Sequence, residues 1–474
     1  MKKEIPKKEN FSEWYTTLVL KSGLADYAPV KGCMVIKPYG FSIWEKIQKI
    51  FDEKIKKIGV ENAYFPLLIP EKFLKKEKEH LQGFSPELIL ATIGGGKELK
   101  EKLVLRPTSE TIIYQMYSKW IKSWRDLPLR INQWCNVLRW ELRPRLFLRT
   151  LEFLWQEGHC AYASHEEERE ETLKILKTYV DFYREVLAID GFWGKKSESE
   201  KFPGALETYT FEMLMPDGKA LQGCTSHDLG QNFSQPFQIK FLDKKGKEKF
   251  VWQNSWGLTT RSIGALVMVH GDDDGLVLPP KIAPIQIVIV PVFTKNVEDK
   301  ILEEKAKEIK EILKKFSVKI DNRKEYSVGW KFNEWELKGV PLRIEIGEKE
   351  IKEKKVTLAR RDNKEKISLP FSSLAHETEK ILDSIQKNLF AKSSKFVKEN
   401  TREVSDFTEF KDIMKKKKGF IRAFWCERRS CEEEIKKETK ATTRCLPLET
   451  VEEKGKCVFC KKPAKRKWLF AQAY

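Results

Sequence analysis

Apolar residues recur at three- and four-residue spacing in FSIWEKIQKIFDEKIKKIG, from Phe41 to Gly59, which predicts an amphipathic helix closed by a glycine. The next segment, VENAYFPLLIP, reads as a strand interrupted by prolines. Up to about residue 270, apolar strands and amphipathic helices mix without a repeat period. HGDDDGLVLPPKIAP, from His270 to Pro284, combines acidic residues, glycines and prolines and reads as a linker. Beyond it the pattern changes. IQIVIVPVF (Ile285 to Phe293) is the β-branched run of a buried strand, KNVEDKILEEKAKEIKEILKKF (Lys295 to Phe316) a long amphipathic helix, and VKIDNR a second strand. This alternation predicts an α/β domain of about 100 residues. A lysine run, Lys415 to Lys418, then precedes a cysteine-rich end. The expected division is 1–283, 284–394 and 395–474, in keeping with 474 residues at about 150 per domain.

With 41% hydrophobic and 11% aromatic residues against 34% charged, the chain can bury a core, which excludes a wholly disordered protein. The formal net charge of +19 is unevenly spread: residues 1–280 carry +4, residues 281–390 carry +5 and residues 391–474 carry +10. A basic excess behind a nearly neutral body points to a polyanion partner, nucleic acid or an acidic membrane surface; a generally lysine-rich composition is the bland alternative. The N-terminal MKKEIPKKEN is charged and no signal-like apolar run follows it, while stretches such as IQIVIVPVF are too short to span a bilayer. A soluble, cytoplasmic protein without membrane contact is expected.

Five of the nine cysteines fall in the last 49 residues, which argues against a chain-wide disulfide framework. Cys426-x4-Cys431 and Cys457-x2-Cys460 are two close pairs separated by 25 residues. Four such thiolates can surround Zn²⁺ tetrahedrally and leave no open position, so the expected site is structural. Cys445 and the isolated Cys33, Cys135, Cys160 and Cys224 read as small buried hydrophobes.

VLRWELRPRLFLRTLEFLWQEGHC, from Val137 to Cys160, sets Arg139 and Glu141 two apart, hence on one face of a strand, ahead of a polar loop and then Arg149, Phe153 and Glu157. Such a set suits a nucleotide phosphate with its Mg²⁺, with Phe153 stacked on a base; a cross-strand salt bridge is the other reading of the pair. The order of three pieces narrows the choice: GVENAYFP (Gly59 to Pro66), then Arg139-x-Glu141 with its loop and Arg149-x3-Phe153-x3-Glu157, then SWGLTTRSIGAL (Ser255 to Leu266) with Arg261. This order resembles motifs one, two and three of the class II aminoacyl-tRNA synthetases. LRPTSE (Leu105 to Glu110), FLRTLEFLWQEGH, KFPGA (Lys201 to Ala205), ALQGCTSHDLGQNFS (Ala220 to Ser234) and NSWGLTTR look like the prolyl-tRNA synthetase family. The α/β part is similar to that family's anticodon-binding domain. The segment ending in Tyr474 is similar to the C-terminal zinc domain of archaeal and eukaryotic-type members.

The resemblance implies an α+β fold: a class II antiparallel sheet with flanking helices, an α/β anticodon-binding domain and a small C-terminal α/β zinc-binding domain. It implies a homodimer through motif one and ATP-dependent activation of L-proline, followed by transfer to the 3′ end of tRNA(Pro). Arg139 and Arg261 are the catalytic residues it indicates. Glu141, Arg149, Thr150, Phe153, Gln222, Thr225 and Thr259 join them around ATP, Gln222 also facing Mg²⁺. Thr108, Glu110, Trp155, Glu157, His159, Phe202 and His227, with Arg139, surround proline. Three departures from the family pattern stand out. Pro203 replaces the usual alanine of KFPGA; the loop after Glu141 is about one residue shorter than in some relatives, which leaves the register of Arg143 and Arg145 open; and only about 100 residues separate Glu157 from Arg261, too few for an editing insertion.

Other features read as structural. GGGKE (Gly94 to Glu98) lacks the ending of a phosphate loop and is expected to be a flexible turn over the active site. His80, His165, His270 and His376 are scattered without hydrolase spacing, and Asp272 to Asp274 read as solvated linker. Arg343, Arg360, Arg361 and Lys364 are candidate RNA contacts or a solvated basic face. A catalytically inactive paralogue is the alternative function, and it would be expected to lose Arg139, Glu141 or Arg261; all three are present.

Overall fold

The computed structural model describes residues 7, 9–75, 88–141, 143–294 and 297–474. After α1 (Phe11–Lys21), the helix expected from Phe41 begins earlier, as α2 (Pro38–Lys56). Pro38 suits its first turn, where an N–H would have no helical partner. Ile43, Trp44, Ile47, Phe51 and Ile55 form its buried stripe. The proline-containing VENAYFPLLIP gives only two short strand pieces, Glu61–Asn62 (β1) and Leu68–Pro70. α3 (Glu110–Trp120) follows, and then the long strands β2 (Leu129–Leu138) and β3 (Glu152–Tyr162). α4 (His165–Glu185) leads to β4 (Gly191–Lys195), β5 (Glu207–Leu214), β6 (Ala220–Gly230) and β7 (Trp252–Thr259), and α5 (Arg261–His270) closes this part.

Strands β2 to β7 pair antiparallel in the order β4-β5-β6-β7-β3-β2, and β1 joins β2 in parallel. Helices α1, α2, α4 and α5 bury one face, where Phe51 and Tyr179 stack with ring centres 4.7 Å apart. Each such aromatic contributes on the order of 2–3 kcal/mol by leaving water. Gly158 on β3 lies opposite Trp256 on β7, and a Cβ at Gly158 would come within 2.1 Å of that indole. Only glycine lets the two strands keep their spacing there.

The α/β part forms β8 (Ile287–Pro291), α6 (Asp299–Ile312), β9 (Val318–Ile320), α7 (Val328–Leu337), β10 (Leu342–Ile346), β11 (Lys355–Arg360) and β12 (Lys366–Pro370). The sheet runs β9-β8-β10-β11-β12, parallel through its first three strands and antiparallel beyond. Of the long helix expected from Lys295, residues 295 and 296 lie outside the described residues. α8 (Leu374–Glu399) then runs unbroken into the last part, which holds β13 (Thr401–Glu403), α9 (Phe407–Lys416), β14 (Phe420–Phe424), α10 (Arg429–Thr439), β15 (Thr442–Pro447) and β16 (Lys467–Ala471). These strands do not form a sheet of their own. β15 pairs with β4, so the described residues contain one eleven-stranded sheet, β13-β14-β16-β15-β4-β5-β6-β7-β3-β2-β1.

Two of the linker aspartates expected to be free in solvent are paired with cations of the α/β domain, while Asp273 is exposed as expected. Asp272 receives a two-pronged bond from the buried Arg361, at 2.5 and 2.8 Å, and Asp274 pairs with Lys364. Asp272 is held below the usual carboxylate range, since Arg361 and the Asp274 amide outweigh the opposing effect of burial. The linker thereby clasps the α/β domain to the first part. GGG forms the tip of a hairpin between Ile89–Gly94 and Lys97–Leu105, with Gly95 and Gly96 at φ 59° and 76°. No helix of the described residues is long and apolar enough to cross a membrane.

Candidate active site

The antiparallel sheet carries a cavity of about 500 Å³ that gathers every candidate residue from Thr108 to Arg261 named above for ATP and proline. The odd-numbered Phe153, Trp155, Glu157 and His159 of β3 reach it through simple alternation. On β6, Gln222 and Thr225 are three apart and would face opposite sides of a regular strand. A register shift opposite Phe211 and Glu212 absorbs one residue, so Gln222, Thr225 and His227 all line the cavity. β7 supplies Ser255, Gly257 and Thr259, and Arg261 opens α5.

Arg139 and Glu141 require a correction. β2 ends at Leu138, so these two residues do not share a strand face; they lie in the loop that follows. Arg139 is fixed there because its amide donates to Leu151 O at 2.8 Å and its Nε to Pro107 O at 3.0 Å. Its guanidinium lies 5.5 Å from the ring centres of both Phe153 and Trp155. Glu141 takes Arg149 at 3.6 Å and the Arg143 amide at 2.7 Å. Thr150 donates to Glu152 O at 2.7 Å, and Arg261 Nε to Leu148 O at 3.2 Å.

Two electrostatic regimes meet in this cavity. At one end, burial and the charges of Arg149 and Arg139 pull the Arg261 guanidinium down to about 10. It stays protonated at neutral pH, so the three cations form a strained cluster that an anion would relieve. At the other end, buried Glu157 accepts from Ser109 Oγ at 2.5 Å, from Gln133 Nε2 at 2.7 Å and from His159 Nε2 at 3.1 Å. Burial opposes its ionisation, but these bonds and the His159 charge hold its carboxyl below the usual range. His159 is raised: burial works against its charge, and the bond to Glu157 with the charges of Glu110 and Glu157 prevails. Tyr114 OH lies 3.1 Å from His159 Nδ1, and Thr108 Oγ1 donates to Glu110. Phe202 lies against His227 with ring centres 4.6 Å apart and planes tilted by 32°, and Thr208 Oγ1 lies 3.0 Å from His227 Nδ1.

Ser109, Gln133 and Tyr114, which support this pocket, were not among the expected residues, nor were the cavity-lining Lys196, Glu200 and Thr208. Hydrogen bonds between distant strands leave no spacing signal. Cys135 and Cys33 are only half-buried, against expectation, and Cys135 Sγ sits 3.4 Å from Glu157 Oε1. Cys160, Cys224 and Cys445 are buried as expected. Arg145 packs between Tyr15 and Tyr474, 5.3 and 5.2 Å from the ring centres, and Arg143 and Tyr474 line a side cavity of about 140 Å³ that also reaches Arg261. His80 lies outside the described residues. His165 does find a partner, Asp228 Oδ2 at 2.9 Å, but Asp228 alternates with the cavity-lining His227 and faces α4. None of Gly94, Gly95 and Gly96 lines the cavity.

At the far end of the sheet, Cys426, Cys431, Cys457 and Cys460 converge, with Sγ separations of 3.5 Å for Cys426 and Cys431 and 3.7 Å for Cys426 and Cys460. These are too long for disulfides and close to the edge of about 3.8 Å of a tetrahedron with 2.3 Å Zn–S bonds. The donor set fits structural zinc.

Comparison with known proteins agrees with this geometry. The family tRNA synthetase class II core domain (G, H, P, S and T) matches residues 92–270, Anticodon binding domain matches 286–381, and Prolyl-tRNA synthetase, C-terminal, matches 407–474. A protein named proline–tRNA ligase from Natranaerobius thermophilus is 50% identical over all of this chain and 98% of its own length. One of the same name from Alkaliphilus oremlandii is 51% identical over 99% of this chain and 97% of its own, and one from Borrelia garinii subsp. bavariensis 52% identical over 99% of each.

Proposed function

The chain belongs to the class II prolyl-tRNA synthetases, and on that premise we propose how its residues divide the work of activating proline with ATP and charging tRNA(Pro). The observation that carries this reading is the single cavity joining an arginine cluster to a buried carboxylate and histidine pocket. The first step is attack of the proline carboxylate on the α-phosphorus of ATP, with pyrophosphate leaving. Both reactants are anionic, so positioning and charge neutralisation matter and no general base is needed. Arg139, between the two ends, bridges the carboxylate and the α-phosphate, while Arg261 holds the γ-phosphate. Glu141 meets the adenine amino group, Phe153 lies beneath the base, and Arg149, Thr150, Thr225 and Thr259 complete the nucleotide contacts.

Proline presents a secondary ammonium on a compact ring. Glu110 and Thr108 accept from that ammonium, and Trp155, Glu157, His159, Phe202 and His227 enclose the ring. Gln222 would hold the Mg²⁺ that accompanies ATP: it offers the hard oxygen that Mg²⁺ prefers, and no hydrogen bond to its side chain is found among the described residues. Bound there, Mg²⁺ would neutralise phosphate charge.

We assign 1–283 to catalysis, 284–394 to the anticodon and 395–474 to zinc binding, of the archaeal and eukaryotic type; the thiolate spacing supports this assignment and the last cut falls within α8. The exposed Tyr27, Val30, Tyr64 and Leu68 support a homodimer through the motif-one region. The protein is read as cytoplasmic, with no membrane partner and no editing insertion. Charging of tRNA(Pro) transcript with labelled proline tests the whole reading. Charging dependent on ATP is expected, and none with an enzyme that still binds ATP would overturn it.

A further inference from the structure

We propose that Glu432 is a positioning residue for the proline pocket, through which the zinc-binding end holds the loop that carries Phe202. Glu432 follows the zinc-site Cys431 on α10 and is buried. Among the described residues its carboxylate pairs with no cation of its own domain; it reaches into the first part of the chain. Ser197 Oγ lies 2.9 Å from Oε1, Ser199 Oγ donates to Oε2, and Thr443 of β15 donates to Oε1. Ser197 is the hub of the β4–β5 connection, since its carbonyl accepts the amides of Glu200 at 3.1 Å and Lys201 at 2.9 Å. That turn delivers Phe202, whose amide is fixed by Thr208 at 2.9 Å and whose ring rests on His227 in the cavity.

A second tie runs beside the first. Glu212 is buried and takes Lys196 at 3.0 Å from the same connection and Arg444 at 2.8 Å from β15. Burial opposes ionisation of Glu212, but the charges of Arg444 and Lys196 hold it low. Both ties enter the turn at Lys196 to Ser199, next to the pocket side that would grip the ring of proline; Glu212 also acts through its charge on Arg261, whereas the Glu432 tie runs through Ser197, Ser199 and Thr443. The Glu432 tie should therefore act on proline and leave ATP alone. This inference rests on the assignment of that end of the cavity to proline.

The test compares wild type, Glu432→Ala and Ser199→Ala in ATP–pyrophosphate exchange, with hydrogen exchange of residues 197–202 and zinc content measured on the same samples. For Glu432→Ala we expect the KM for proline to rise about tenfold, the scale of one charge-assisted hydrogen bond, with kcat and the KM for ATP within about twofold. Residues 197–202 should exchange faster while zinc stays at the wild-type level, and Ser199→Ala should shift both readouts less in the same direction. An unchanged proline KM with unchanged exchange at 197–202 overturns the clamp, and so does an equal loss for ATP and proline. If the wild type fails to activate proline while Glu432→Ala still loosens 197–202, the catalytic assignment has failed and with it the role toward proline, while the tie between Glu432 and the 197–202 turn stands.

Discussion

Arginines in the two halves of this molecule are held in opposite ways. In the cavity, burial and the neighbouring Arg149 and Arg139 draw Arg261 down to about 10. In the α/β domain, Arg323 is raised above the ordinary value by its bonds to Asp321 and Glu334, Arg343 lies against Glu345 and Glu336, Arg360 against Asp362 and Arg361 against Asp272. The nearly neutral part therefore sets three of its arginines around one ligand site, whereas these arginines of the more basic part are each paired with carboxylates, Arg361 with one from the linker. Net charge ranks these regions in the reverse order of their demand for an anion, so local pairing is the better guide.

Arg261→Ala is expected to break the contrast most sharply. It should lower pyrophosphate-exchange kcat/KM by roughly 10²–10³, as loss of one preorganised charge contact does, while Arg323→Ala leaves exchange within about twofold. Comparable losses from both would contradict the contrast. Zinc-site disruption comes next. Cys431→Ser should lower zinc content and cost several kcal/mol of stability, roughly, read by denaturant unfolding.

Arg361→Ala leaves Asp272 without its arginine partner and should cost about 1–3 kcal/mol, toward the lower end because the Asp272 side chain is 41% exposed. Proline exchange should persist while the KM for tRNA rises, as the linker clasp loosens. Of the four cations first considered for RNA, Arg361 and Lys364 form this clasp, and Arg343 and Arg360 bond carboxylates within the α/β domain.

The proline end supplies a pH test. Glu157 is lowered, so its contribution to stability is present above its ordinary value of 4.5 and is lost as pH falls through the lowered pKa. His159 is raised, so its contribution is full below 6.5 and lost as pH rises through the raised pKa. The difference in melting temperature between wild type and His159→Gln should be largest near about pH 5.5 and shrink at higher pH. A difference independent of pH would contradict the ion pair. The smallest expected effect is on specificity. Enclosing a compact apolar ring gains only about 1–3 kcal/mol per methylene, so alanine or cysteine should be activated weakly and above background.

Much of this was legible in the sequence because the candidate site residues fall in a few contiguous stretches. FLRTLEFLWQEGH places four cavity side chains by alternation alone, and the four cysteines announce themselves by spacing. The strand reading of Arg139 and Glu141 failed because apolar alternation does not reveal where β2 stops; the anchoring bonds to Leu151 and Pro107 come from elsewhere in the chain. Gln222 and Thr225 share a face only through a register shift that periodicity hides. The linker aspartates looked solvated because Arg361 lies some 90 residues away in sequence. For the same reason the continuous sheet joining β4 to β15 could not be anticipated from local pattern.

The central claim is that the carboxylate and histidine pocket selects proline for reaction at the arginine cluster. ATP–pyrophosphate exchange across the twenty amino acids tests it most directly. Exchange fastest with proline, and abolished by Arg139→Ala, is predicted; exchange fastest with any other amino acid would contradict it.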